Sequence, residues 1–177
     1  VSRDDPDFDA NDGWYWRGSM WLPTAYMGIK ALEKYGFQEA ADTTAEKVLS
    51  WMLRTYCDYE PHTIWECYSP TAPTPSSNHG KRVRPDFCGW SAIGPISLFI
   101  ENVLGFHDID ASSRTVHWDI RHDCRHGLNN LTFGDTTTDL LYDSAAATVT
   151  IRSNKPYCLI LNGKSHRIRA GVTTISI

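Results

Sequence analysis

Leu22-Pro23-Thr24-Ala25-Tyr26-Met27-Gly28-Ile29-Lys30-Ala31-Leu32-Glu33-Lys34-Tyr35-Gly36-Phe37 decides the fold class of the first part of this chain. Its apolar positions Leu22, Ala25, Tyr26, Ile29, Leu32 and Tyr35 recur at the spacing of one helix face, which predicts a helix over about 20–35. Pro23 falls in the first turn, where its missing N–H costs nothing, and Gly36 supplies the stop. A second stripe, Ala41, Ala45, Val48, Leu49, Met52 and Tyr56, predicts a helix over about 38–55. With only Gly36-Phe37 between them, the two helices must fold back as an antiparallel hairpin. A third helix is predicted over about 90–104, with Ile93, Ile96, Ile100 and Val103 on one face and Gly105 closing it.

The pattern changes after Gly105. Alternating runs at 115–121, 128–133, 138–142, 148–152, 157–161, 165–169 and 173–177 read as strands, and Asp143-Ser144 and Asn162-Gly163 as hairpin turns. The expected architecture is therefore mainly α plus β: residues 1–105 helical, residues 106–177 a small antiparallel β-sandwich-like region. Residues 1–13 are polar and acidic and read as an entry loop. Residues 69–85, with Pro70, Pro73, Pro75 and Gly80, read as a long polar loop.

Composition narrows the function classes. A net charge of −4 and no Lys/Arg block argue against a nucleic-acid partner or an acidic membrane surface. No apolar run approaches the roughly 18–20 residues of a membrane span. Five cysteines, an odd number with no CxxC pair, read as buried free thiols and lean toward a reducing compartment. His122-x-Cys124-x-His126 could share a strand face, but no further ligand pair has metal-site spacing, so no metal is expected. Cys67, with His62 nearby, carries no mark of an activated thiol. No cofactor is expected, and no phosphate-binding glycine loop is present.

Two stretches carry chemistry: Trp14-Tyr15-Trp16-Arg17-Gly18-Ser19-Met20-Trp21 and Trp65-Glu66-Cys67-Tyr68-Ser69-Pro70. Aromatic planes cover the C–H faces of sugars while carboxylates handle protons and hydroxyls, so this pairing points to a carbohydrate site. Glu66 is the candidate carboxylate. Trp16, Trp21, Trp65 and Tyr68 are candidate walls, with core packing the competing role for Trp21. Arg17 either forks onto sugar hydroxyls, fixes Glu66, or pairs with one of the N-terminal Asp residues. Asp86 and Trp90 lead into the third helix, Trp90 as pocket or core, and Gly89 offers a point of close backbone approach.

These motifs, together with Asp86-Phe87-Cys88-Gly89-Trp90-Ser91, resemble the C-terminal part of inverting α-glycosidases. That group includes the trehalases, processing α-glucosidase I (glycoside hydrolase family 63) and mannosylglycerate hydrolase. The resemblance spans about 11–105. It implies that the helices are part of an (α/α)6 toroid and that the β region is a C-terminal appendage. It also implies an oligosaccharide or glycoside substrate, Glu66 as general base, and a general acid Asp on an earlier segment that this sequence does not match. Val1 is no start methionine, and the chain is expected to be a piece of a longer protein. The alternatives are a non-catalytic carbohydrate-binding or scaffold fragment, and a toroid enzyme of another family, such as an α-L-rhamnosidase or a debranching α-1,6-glucosidase.

Overall fold

The computed structural model describes residues 1–177. Three helical segments are followed by small, mostly antiparallel sheets, with no closed barrel. The chain divides into two compact units, Val1–Phe99 and Ile100–Ile177.

In the first unit the acidic start is a run of side-chain-capped turns. Asp5, Asp9 and Asp12 accept backbone N–H bonds from Asp7, Asn11 and Trp14 at 2.8, 2.9 and 2.9 Å. Asp favours such turns because its short carboxylate reaches the backbone two residues on. A tight turn over Tyr15–Arg17 leads into α1 (Leu22–Lys34) and α2 (Gln38–Asp58). Gly36, at φ 82°, ends α1 as the spacing predicts. Its left-handed conformation lets the Gly36 and Phe37 amides donate to the Glu33 and Leu32 carbonyls at 3.0 and 2.9 Å.

The hairpin closes over Ile29, Ala41, Ala45 and Leu98. Ala41 and Ala45 sit one turn apart, and their small side chains let the helices approach closely. The predicted α2 stripe overreaches at Tyr56, which is exposed. A second cluster, Trp21, Leu22, Met52, Trp65, Cys67, Tyr68 and Val83, lies over the start of α1. The 69–85 stretch is less irregular than predicted. It contains a two-stranded ribbon, β1 (Ser77–Asn78) and β2 (Lys81–Arg82), turned by His79 and Gly80 at φ 51° and 74°.

The third helical segment departs from the predicted one. It winds tightly over Trp90–Ile93 and then widely, with π-type bonding, over Gly94–Val103. The change of period moves the buried face to Ser91, Leu98 and Asn102 and leaves Ile96 exposed. Gly89 is not a close approach: a Cβ there would meet nothing nearer than Phe87 at 4.0 Å. Gly94 is one, since a Cβ would lie 2.5 Å from Met52 Sδ and 2.9 Å from Leu22 Cδ1.

The second unit holds two four-stranded sheets. The first is formed by β3 (Phe106–Asp110), β4 (Thr115–Trp118), β8 (Tyr157–Leu161) and β9 (Lys164–Ile168), in the order β3-β4-β8-β9. The second is formed by β5 (His126–Phe133), β6 (Thr136–Asp143), β7 (Thr148–Ser153) and β10 (Gly171–Ser176), in the order β10-β7-β6-β5. Every pairing is antiparallel except β4 with β8. Alternation along β6 turns Thr136, Thr138, Leu140 and Tyr142 inward. The two sheets share one core that includes Phe106, Val116, Trp118, Leu140, Val149, Ile151, Leu159 and Ile168. The Asn162-Gly163 turn forms as predicted, at φ 48° and 74°. The predicted strand over 115–121 stops at Trp118, and His122 and Cys124 precede β5, so the His-x-Cys-x-His residues do not share a strand face.

All five cysteines are free, but only Cys67 is buried; Cys57, Cys88 and Cys124 are exposed and Cys158 is half-buried. The expectation of uniformly buried thiols is thereby corrected. No helix is long and apolar enough to cross a membrane.

Candidate active site

Glu66 follows Trp65, whose ring is buried in the cluster over α1, and precedes Cys67 and Tyr68, which are buried in the same cluster. The segment is pinned at several points. Met20 and Tyr68 exchange backbone bonds of 2.8 and 3.0 Å, the Glu66 amide donates to the Arg84 carbonyl at 3.0 Å, and Ser91 Oγ donates to the Glu66 carbonyl at 2.9 Å. The Tyr68 hydroxyl accepts the Trp65 amide at 3.1 Å. A backbone held this way gives the Glu66 side chain a fixed origin.

Only 7% of Glu66 is exposed. Tyr15 Oη donates to Oε1 at 3.0 Å, and the Arg84 amide donates to Oε2 at 3.4 Å. Tyr15 reaches the carboxylate from an unusual backbone: Trp14 and Tyr15 both lie in the left-handed region, at φ 30° and 61°. Such conformations cost about 1–3 kcal/mol each and persist only where the surroundings enforce them. Gly13 is part of that enforcement, because a Cβ on it would sit 2.5 Å from the Ser19 nitrogen. The Tyr15 phenol is raised above its ordinary value, first by burial and then by its bond to the Glu66 carboxylate.

Aromatic rings extend from this pair to the surface. Tyr15 meets Trp21 edge-on at 4.8 Å and Trp16 at 5.8 Å. Trp16 stacks on Trp21 at 3.9 Å with 9° between planes. Trp90 stands edge-on to Trp21 at 5.7 Å, and Phe87 lies 5.6 Å from Trp90. Trp16 and Trp90 are 56% and 43% exposed, so they offer ring surface to a ligand, whereas Trp21, Trp65 and Tyr68 are buried. The candidate wall therefore separates into a surface layer and a supporting layer.

Arg17 turns away from Glu66. Its Nε donates to the Asp7 carbonyl at 2.8 Å, its Nη2 lies 4.0 Å from the Asp7 carboxylate, and its guanidinium lies 4.6 Å from the Trp14 ring centre. Asp86 accepts the Thr63 hydroxyl at 2.7 Å and is exposed. Cys67 carries no nucleophile. Burial pushes its thiol up to about 12, against the lowering hydrogen bonds of Ser19 and Ser76. His62 is engaged with Glu60 at 3.0 Å and the Tyr56 carbonyl at 2.6 Å.

Tyr15 and Ser91 fall within the motifs visible in the sequence but carry no local mark of their bonds to Glu66, and Arg84 lies outside those motifs. Tyr15 lies 51 residues from Glu66, and no local pattern marks the contact.

Residues 1–82 match the family model of the mannosylglycerate hydrolase MGH1-like glycoside hydrolase domain. No curated protein and no solved structure matches the chain. The matched stretch takes in Tyr15, Trp16, Arg17, Trp21, Trp65, Glu66 and Tyr68, and stops before Asp86 and Trp90. The match covers less than half of the 177 residues.

Proposed function

We propose that this chain contributes the water-activating side of an inverting α-glycosidase site, with Glu66 as general base. The observation that carries the reading is a largely buried carboxylate, held at 3.0 Å by the phenol of Tyr15, which adjoins a group of aromatic rings in which Trp16 and Trp90 are exposed. Inversion requires one carboxylate to take a proton from water on one face of the sugar while a carboxylic acid protonates the leaving oxygen on the other, about 6.5–9.5 Å away. Glu66 has the fixed position that a base needs. Tyr15 and Arg84 each bond one carboxylate oxygen, which leaves further lone pairs for a water. In this reading Trp16 and Trp90 cover the apolar sugar face, and exposed Asp86 meets sugar hydroxyls. In this reading the acid is a carboxylate outside residues 1–177.

The substrate is an α-linked glycoside. Mannosylglycerate, which gives the matching family its name, stands first in a panel with trehalose and α-glucosides. Glu66→Gln in the native full-length protein is expected to abolish turnover while leaving the circular dichroism spectrum and sugar binding in place. NMR of the wild-type reaction is expected to show the β-anomer released first. Near-normal turnover in Glu66→Gln overturns the base assignment, and release of the α-anomer overturns inversion. Sugar binding by the wild-type protein with no turnover of any panel member replaces the enzyme by a carbohydrate-binding fragment.

A further inference from the structure

A cavity of about 400 Å³ opens in the second unit, away from every residue assigned above. Ser113 and Arg114 from the turn after β3, Cys158 of β8, and Ser165 and Arg167 of β9 line it, together with Pro156 and Tyr157. Cys158 and Arg167 face each other across the β8–β9 ladder. The Arg114 carbonyl accepts the Cys158 amide at 2.9 Å, which fixes the turn against β8. Cys158 Sγ lies 3.3 Å from Ser165 Oγ.

The charge here is unbalanced. Asp135 is bonded by both Arg114 and Lys155, and Asp110 accepts the Ser112 amide and the Ser113 hydroxyl, so with Arg167 three cations stand against two carboxylates. Both Arg114 contacts to Asp135, at 3.2 and 3.4 Å, use Nη2, leaving the other guanidinium nitrogens available. Arg167 has no ion-pair partner. From Ser144 to Ile177 the sequence has five Lys or Arg residues and no Asp or Glu. Guanidinium groups with free donors bind oxyanions through paired, charge-assisted hydrogen bonds, and neighbouring hydroxyls complete such a shell.

We propose that this cavity binds a small molecule through a carboxylate or phosphate group, held between Arg114 and Arg167 with Ser165 as a further donor. Occupancy covers Cys158, which makes that thiol a reporter. The intact chain is labelled with neutral N-ethylmaleimide, and each cysteine is followed by peptide mass mapping, with exposed Cys57 and Cys124 as internal references. The probes are inorganic phosphate and glucuronate, each against sodium chloride of equal ionic strength. Backbone amide shifts at Arg114, Cys158, Ser165 and Arg167 read the same event without using the thiol.

At a probe concentration about four times Kd, Cys158 labelling should slow about fivefold, with the reference cysteines unchanged. Arg167→Gln, at an exposed and unpaired side chain, should abolish both the protection and the shifts. Lys164→Gln, on the same strand but outside the cavity, should keep them. Response to phosphate alone or to glucuronate alone assigns the oxyanion. Absence of amide shifts with both probes, equal protection by sodium chloride, or persistence of binding in Arg167→Gln overturns the proposal.

Discussion

The bond between Tyr15 and Glu66 can be weighed by a double-mutant cycle. Tyr15→Phe deletes the phenol oxygen and little else, and the ring keeps its edge contacts with Trp16 and Trp21. What is lost is the 3.0 Å donor to Oε1, leaving Glu66 with the longer 3.4 Å bond from the Arg84 amide. A hydrogen bond to a charged group is worth about 1.5–3 kcal/mol net. With Glu66 only 7% exposed, water replaces the donor poorly, so a loss of about 2 kcal/mol is expected. In a Glu66→Gln background the acceptor is a neutral amide oxygen, whose bond is about half as strong, so Tyr15→Phe should then cost about 1 kcal/mol. The coupling is therefore about 1 kcal/mol. Urea denaturation followed by tryptophan fluorescence reads the first unit selectively, because six of the seven Trp lie there. The experiment belongs at neutral pH. A phenol raised in the folded state contributes its linked stability in full below the unfolded value and loses it as pH climbs through the folded one. Equal costs of Tyr15→Phe in the two backgrounds would refute the reasoning. So would an unchanged Tyr15 titration, followed by NMR, in Glu66→Gln, where the phenol should fall only part of the way because burial, the larger cause, remains.

Two further outcomes follow from the packing. Gly105 lies at φ 85°, and a Cβ would fall 1.9 Å from the Asp119 carbonyl oxygen, a backbone atom that cannot step aside. Gly105→Ala should therefore destabilise the second unit by more than about 2 kcal/mol, whereas Gly134→Ala, at φ 56° with its nearest neighbour 3.8 Å away, should cost only the backbone term of about 1–2 kcal/mol. Near-ultraviolet circular dichroism of buried Trp118 during thermal melting distinguishes them, and equal losses would contradict the steric account. In alkali, burial holds the Cys67 thiol at about 12 against an ordinary 9.0 and the Tyr68 and Tyr157 phenols at about 12 against 10.0. The unfolded chain releases these protons first, so stability should hold below about pH 9 and fall between pH 9 and 12. Denaturation midpoints across that range test this, and a flat profile would contradict it.

Much of the architecture was legible because periodicity is local. The α1 and α2 patterns and the Gly36 stop each occupy a few consecutive turns, and seven strands showed as alternation. The third helical segment was misread because a 3.6-residue template was laid over a chain that winds tightly to Ile93 and widely after Gly94, which shifts the inward set to Leu98 and Asn102. β1 and β2 were invisible, since two residues each carry no period. β3 was missed because Phe106-His107-Asp108-Ile109-Asp110 is mostly polar and follows directly on a helix stop. At the site, the carboxylate among aromatics could be recognised, but the division of the rings into exposed Trp16 and Trp90 and buried Trp21, Trp65 and Tyr68 could not. That division is set by which rings α1 and the 65–68 segment turn inward. Arg17 was open between three roles in the sequence; its Nε bonds the Asp7 carbonyl and its Nη2 lies 4.0 Å from the Asp7 carboxylate.

The parallel pairing of β4 with β8 has a consequence for biosynthesis. After β4 the chain leaves its sheet, lays down β5, β6 and β7 in the other, and returns only at Tyr157. On a ribosome, Val116 and Trp118 thus emerge long before the strand that covers their flank, while the β5–β7 meander can zip locally as it appears. Non-local pairings of this kind form late, because the loop must close before any contact rewards it. The interval before residues 157–168 emerge is when β4 of a nascent chain lacks its neighbour on that edge. A stalled or truncated product ending near Pro156 would leave that edge open to other chains.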